Sequence, residues 1–100
     1  MQSKLLMHWN IGKDSESEYF EFLVHDFIPG MGKLGLRDVE VWYTAYGDCE
    51  QILASGLMET AVSINNLIAS EAWEKLTDGL LELVDDYAEK VVTGGKGFQF

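Results

Sequence analysis

The sequence predicts an α+β domain: a four-stranded, mostly antiparallel sheet with its helices on one face, in the order strand, helix, strand, strand, helix, strand. Three observations lead there. Arg37–Met58 reads as two long strands joined at Gly47-Asp48, a pair of residues that punctuates hairpins. Two apolar stripes recur at spacings of three and four, as in amphipathic helices: Phe20, Leu23, Val24, Phe27 and Ile28, then Trp73, Leu76, Leu80, Leu83 and Val84. Alternating runs near the two ends, Lys4–Ile11 and Tyr87–Thr93, supply the first and last strands. One hundred residues make a single domain, residues 1–100.

Each element has its own local warrant. In Lys4–Ile11 one face is apolar throughout (Leu5, Met7, Trp9, Ile11) and the other is mixed (Leu6, His8, Asn10). Ser15-Glu16-Ser17-Glu18 fits a capping box, in which a hydroxyl and a carboxylate each satisfy a free backbone donor at a helix start. Pro29 cannot sit unmarked inside a helix, so this helix either stops near Phe27 or bends there and runs on to Leu34. Gly35 suits its C-terminal stop.

In the first strand of the hairpin, Val39, Val41, Tyr43 and Ala45 point one way. Trp42 and Tyr46 point the other way, with Glu40 and Thr44. Glu59–Leu67 reads as a short helix or an irregular turn. Ser70 is a good N-cap for the helix that begins at Glu71, and Gly79 within it is an oddity that costs about 1 kcal/mol relative to Ala, with or without a close helix contact to account for it. The last strand sets Tyr87, Glu89, Val91 and Thr93 against Ala88, Lys90 and Val92. The closing Gly94–Phe100 carries two phenylalanines among three glycines and is expected to dock on its own or a partner subunit.

Charge and cysteine usage narrow the function classes. A net charge of −10 disfavours nucleic acid, whose phosphates need a basic stripe, and disfavours anionic membrane surfaces. No apolar run approaches the roughly 18 residues that span a bilayer, and no secretory leader is visible, so the expected compartment is the cytoplasm. The lone Cys49 excludes an intramolecular disulfide, and the neighbouring Asp48 and Glu50 make it a poor nucleophile.

The element order is the split βαβ, or ferredoxin-like, plan. It leaves one sheet face without helices, carrying some of Leu6, Trp42, Tyr46, Leu53, Leu57 and Val92. An apolar patch of this kind is unusual on a monomer. The simplest cover is a second copy of the same sheet about a two-fold axis, so the expected partner is a second identical chain.

This order of elements, the helix start Ser70-Glu71-Ala72-Trp73-Glu74-Lys75-Leu76 and the closing Tyr87-Ala88-Glu89-Lys90-Val91-Val92 resemble the dimeric α/β-barrel superfamily. That group includes antibiotic-biosynthesis-type monooxygenases and muconolactone-isomerase-like domains. The resemblance spans nearly the whole chain as a pattern. It implies the fold and a homodimer through the open sheet face, not a chemistry, because one fold hosts many functions; a slight lean toward a cofactor-independent monooxygenase or isomerase acting on a small hydrophobic or aromatic molecule comes from it as well. The alternative is a homodimer that binds without catalysis or serves a structural role.

Among the residues themselves, the mixed face of the strands taken as central holds His8, Asn10, Glu40, Thr44 and Tyr46 around Trp42. His8 is the candidate general base, with Glu40 to orient it or act in its place. Asn10 is the candidate donor to a developing oxyanion. Trp42, Thr44 and Tyr46 would line the ligand. The competing reading is that these groups satisfy one another or bond across a dimer interface. His25 belongs to a solvated helix face, or else ligates haem or a metal. Two histidines without metal-ligand spacing call for no dedicated metal site and no cofactor.

Overall fold

The computed structural model describes residues 2–46 and 49–93, the side chains of residues 44–46 and 49–51 excepted. The chain runs β1 (Ser3–Ile11), α1 (Glu16–Phe22), a π-helical segment (Leu23–Phe27), α2 (Ile28–Lys33), β2 (Arg37–Tyr46), β3 (Cys49–Met58), α3 (Ala61–Ile68), α4 (Glu71–Leu81) and β4 (Val84–Thr93). All strand pairs are antiparallel, in the order β2-β3-β1-β4. This is the expected α+β plan. The Gly47-Asp48 turn and the Gly94–Phe100 tail lie outside the described residues, as do the side chains of Thr44, Tyr46 and Cys49.

The sheet alternation of β1 places Leu5, Met7 and Trp9 among the helices, all fully buried. Tyr19, Phe27, Met31, Ile52, Ala54, Ile64, Trp73 and Leu80 complete this core, and Val39, Val41, Tyr87 and Val91 pack against it. The helices therefore cover one face of the sheet. The register sets the other face in crosswise rows. One row runs Trp42, Leu53, His8, Ala88 from β2 to β4; the next runs Glu40, Ser55, Leu6, Lys90. Trp42 remains 42% exposed there, and Leu6 only 3%.

Two local expectations change. Ser15 does precede α1, but its hydroxyl makes no cap bond; it lies 3.5 Å from the Lys13 carbonyl instead. Asp14, at φ 62°, turns the chain just before the helix, so the capping box does not close. At Pro29 the second alternative holds: the chain stays helical past it, through α2, and is capped at Leu34. The five-residue π segment before it widens the turn where Pro29 can offer no N–H and where its ring would strike a carbonyl. Val84 belongs to β4 rather than to the last helix, because Leu83 N–H bonds the Leu80 carbonyl at 2.9 Å and turns the chain into the strand.

Other stops and starts follow the sequence. Leu36 N–H bonds the Met31 carbonyl and Gly35 N–H bonds the Gly32 carbonyl, both at 3.1 Å. With Gly35 at φ 104° this is a Schellman ending, sealed by the buried pair Met31 and Leu36. A Cβ on Gly79 would stand 2.9 Å from two ring carbons of Phe22, so this glycine lets α4 close onto α1.

Residues 59–67 resolve into helix α3, capped by Thr60, whose hydroxyl accepts from Ser63 N–H at 3.1 Å. Ser70 caps α4 by accepting from Trp73 N–H at 3.2 Å while donating to the Leu67 carbonyl at 2.6 Å. Ser70→Ala removes both bonds and is expected to cost about 1 kcal/mol, read as a lowered urea midpoint with unchanged slope.

Candidate functional site

The open sheet face carries every sequence-predicted site residue whose side chain is described. The strand order decides how they meet. Central strands are β1 and β3; β2 is an edge, so Glu40 and Trp42 are edge residues, contrary to the expectation that their strand is central. In the split plan the hairpin's second strand, not its first, pairs with β1.

His8 stands near the middle of the face, opposite Leu53 on one side and Ala88 on the other. Glu40 is one row away and separated from it by β3. Strand spacings of about 4.8 Å and a rise of about 3.3 Å per residue put their Cα atoms about 12 Å apart. The two therefore are not cross-strand neighbours. Trp42 shares the row of His8 with Leu53 between them. Thr44 and Tyr46 extend β2 toward its end, their side chains outside the described residues.

Asn10 occupies the next outward-facing position of β1 after His8. Its amide nitrogen donates to Asp86 Oδ2 at 3.2 Å. The contact exists because the β1–β4 register slips between His8 and Asn10, and Asp86 takes up φ 57° beside the slip. A carboxylate only accepts, so the nitrogen must face Asp86 and the amide oxygen must face away. That oxygen is buried and, among the described residues, has no hydrogen-bond partner. Asn10 therefore offers an open acceptor, and its amide nitrogen keeps a second N–H beyond the one given to Asp86.

Sequence reasoning missed two polar pairs on the helix side of the sheet. Trp9 Nε1 donates to the Tyr19 hydroxyl at 3.0 Å, both side chains fully buried. Tyr87 stacks on Trp9, with ring centroids 6.0 Å apart, and donates its hydroxyl to Glu89 Oε1 at 2.7 Å. The signal was a glutamate, Glu89, between Tyr87 and Val91 on one face of the last strand.

Burial raises the phenol pKa of both tyrosines. The hydrogen bond and negative charge of Glu89 push Tyr87 up further, whereas the Trp9 bond pulls Tyr19 partly back. Raised above the unfolded value near 10.0, each phenol holds its proton more tightly in the folded chain. Its contribution to stability is full below that pH and is lost as pH rises further. Urea midpoints should therefore fall above about pH 10, and fall less steeply in Tyr87→Phe.

His25 is exposed on the π segment, beside a groove of about 460 Å³ between α1 and α4 whose other polar groups are Glu18, Glu21, Asp26 and Glu82. Among the described residues no three His, Cys, Asp or Glu side chains converge to hold a metal ion. No helix among them is long and apolar enough to cross a membrane.

No family model and no curated protein matches the chain. Solved structures do, across its whole length. The structure of Rv0793 from Mycobacterium tuberculosis superposes with a TM-score of 0.72 at 13% identity, covering 99% of this chain and 100% of that one. An ethyl tert-butyl ether D (EthD) family protein from Bacillus halodurans gives 0.73 at 13% identity, covering 95% and 100%. SnoaB of Streptomyces nogalater, a cofactor-independent oxygenase, gives 0.72 at 7% identity, covering 97% and 96%. The chain has the fold of the dimeric α/β-barrel proteins.

Proposed function

We propose that this chain works as a homodimer, paired through its open sheet face, that handles a small hydrophobic or aromatic molecule bearing a hydroxyl group. The chemistry is that of a cofactor-independent oxygenase or isomerase. The observation that carries the reading is the buried Asn10 oxygen. A buried acceptor left without a donor costs about 1–3 kcal/mol, which a ligand hydroxyl removes by donating to it.

The ligand then sits toward the strand ends, with His8 two residues back on the same face, a Cα separation of about 7 Å. Asn10 holds a hydroxyl that stays protonated. His8 takes a proton from a neighbouring acidic carbon; the carbanion then either adds dioxygen as a peroxide, whose O–O bond breaks to leave a carbonyl on the carbon and release water, or is reprotonated elsewhere. The likeness in fold to SnoaB supports the oxygenase form.

The second reading, a homodimer that binds or assembles without catalysis, has its own support. The space between sheet and helices is filled by Trp9, Tyr19, Phe27 and Met31, all fully buried.

Tryptophan fluorescence titrations separate the readings. Naphthol is expected to bind at least about tenfold more tightly than methoxynaphthalene, which has no hydroxyl to donate, and Asn10→Ala should remove the difference. Equal binding of the two by the unaltered protein would refute the role of Asn10. Oxygen uptake or an isomerised product that disappears in His8→Ala, with binding retained, establishes catalysis. Binding without any product across hydroxylated aromatics establishes the second reading.

A further inference from the structure

Between His8 and Asn10 strand β1 holds one residue, Trp9. Between their partners Ala88 and Asp85 strand β4 holds two, Asp86 and Tyr87. Two residues opposing one make a β-bulge, a device that re-aims a side chain. The first of the two, Asp86, sits at φ 57°, the left-handed conformation that glycine fills most readily. An aspartate at such a position accepts backbone strain, and strain of this kind collects where a side chain is aimed at something. Here the carboxylate is aimed across the strands at the Asn10 amide, whose nitrogen donates to Asp86 Oδ2 at 3.2 Å.

A carboxamide has two orientations of nearly the same shape, in which oxygen and nitrogen change places. The orientation of Asn10 decides what its buried end offers a ligand. The nitrogen lies beside exposed Asp86, and the oxygen is the buried end. Turning the amide would lose a charge-assisted hydrogen bond and set a carbonyl oxygen against a carboxylate oxygen with no proton between them. The observed orientation is favoured by roughly tenfold or more on that account.

We propose that Asp86 is the specificity-determining residue of the Asn10 site: it locks the amide with its oxygen toward the ligand, so that the site selects molecules that donate a hydrogen bond over those that only accept one. The proposal rests on the reading of Asn10 as a hydroxyl acceptor and adds the residue that enforces it. Asp86 acts through Asn10 and is a positioning residue.

The test pairs two naphthalenes in tryptophan-fluorescence titrations. Naphthol donates through its hydroxyl; acetonaphthone only accepts through its carbonyl. The unaltered protein should prefer naphthol by about tenfold or more. Asp86→Asn keeps the side-chain shape and tolerates the left-handed backbone, but its amide can either accept from Asn10 or donate to it. Asn10 is then free to turn. The preference should shrink to about threefold or less, with acetonaphthone bound more tightly than by the unaltered protein. A damaged site loses both ligands together, whereas a gain for one of them requires a released amide.

Asp86→Gly places the residue usual at such a bulge, so it should shift the preference in the same direction in a fold that holds by circular dichroism. Asp85→Asn makes the same charge change one residue away and should leave the preference as it is. A ligand-free readout is the Asn10 side-chain amide in nitrogen-15 NMR spectra, identified by its absence from Asn10→Ala. It should give one set of signals in the unaltered protein and a doubled or broadened set in both Asp86 variants.

A single unchanged set in Asp86→Asn, or both ligands weakened in equal ratio, overturns the role of Asp86 while leaving Asn10 as a hydroxyl acceptor. An Asp85→Asn effect as large as that of Asp86→Asn overturns it too, because general charge then accounts for the preference. Equal binding of naphthol and acetonaphthone by the unaltered protein overturns the reading of Asn10 itself.

Discussion

Trp9→Ala is expected to cost the fold about 3–5 kcal/mol, a large share of the roughly 5–15 kcal/mol that holds a domain of this kind together. Three separate interactions end at this one side chain. Its indole is fully buried and meets Phe27 edge-on at 5.7 Å. It stacks on Tyr87 at 6.0 Å and 18°. Its N–H satisfies the Tyr19 hydroxyl. Truncation leaves a cavity between sheet and π segment and strands a buried hydroxyl, and the surrounding rings are too rigid to collapse into the space. Trp9→Phe keeps most of the packing but loses the donor, and should cost only about 1–3 kcal/mol. Urea unfolding of the pair measures both; a Trp9→Ala loss below that of Trp9→Phe would mean that Tyr19 and Phe27 do not depend on the indole.

The second large effect concerns association rather than folding. Trp42→Ala is expected to weaken the homodimer by about 2–4 kcal/mol, the range of a buried aromatic anchor, which is roughly 30- to 1,000-fold in dissociation constant. Within one chain Trp42 is 42% exposed, at the edge of the sheet, so the fold itself should lose little. A change in unfolding midpoint that is independent of protein concentration would assign Trp42 to the monomer's stability. A change that vanishes at high protein concentration assigns it to the interface. Sedimentation of the variant beside the unaltered chain reads the effect directly.

Much of the fold was legible because it rests on short-range pattern. The alternation Leu5, Met7, Trp9 named the core face of β1, and Ser70 named the start of α4 from the chemistry of a hydroxyl beside a free N–H. Gly35 announced a left-handed stop and is one.

The failures are places where a neighbour in space overrides a local rule. Ser15 has the residues of a capping box, yet Asp14 turns the backbone so that the hydroxyl addresses the chain behind it. Val84 has the spacing of the helix before it but the surroundings of β1, to which it pairs through Ile11.

The candidate site was legible as a face and not as a constellation. Parity along each strand puts His8, Asn10, Glu40 and Trp42 on one side of the sheet. Their mutual distances depend on strand order, which parity does not contain. With β3 between β1 and β2, His8 and Glu40 stand on strands that are not neighbours. Asn10 and Asp86 are 76 residues apart and meet only through an irregularity in the β1–β4 register. Glu89 was the one missed residue with a readable signal, a carboxylate between Tyr87 and Val91 on one face of the last strand.

The central claim is that two copies of this sheet close over each other. Sedimentation velocity of the unaltered protein across nanomolar to micromolar concentrations tests it most directly. The account predicts a species of two 11.3 kDa chains at micromolar concentration, dissociating on dilution and unaffected by reducing agent. A single 11.3 kDa chain throughout that range would contradict it.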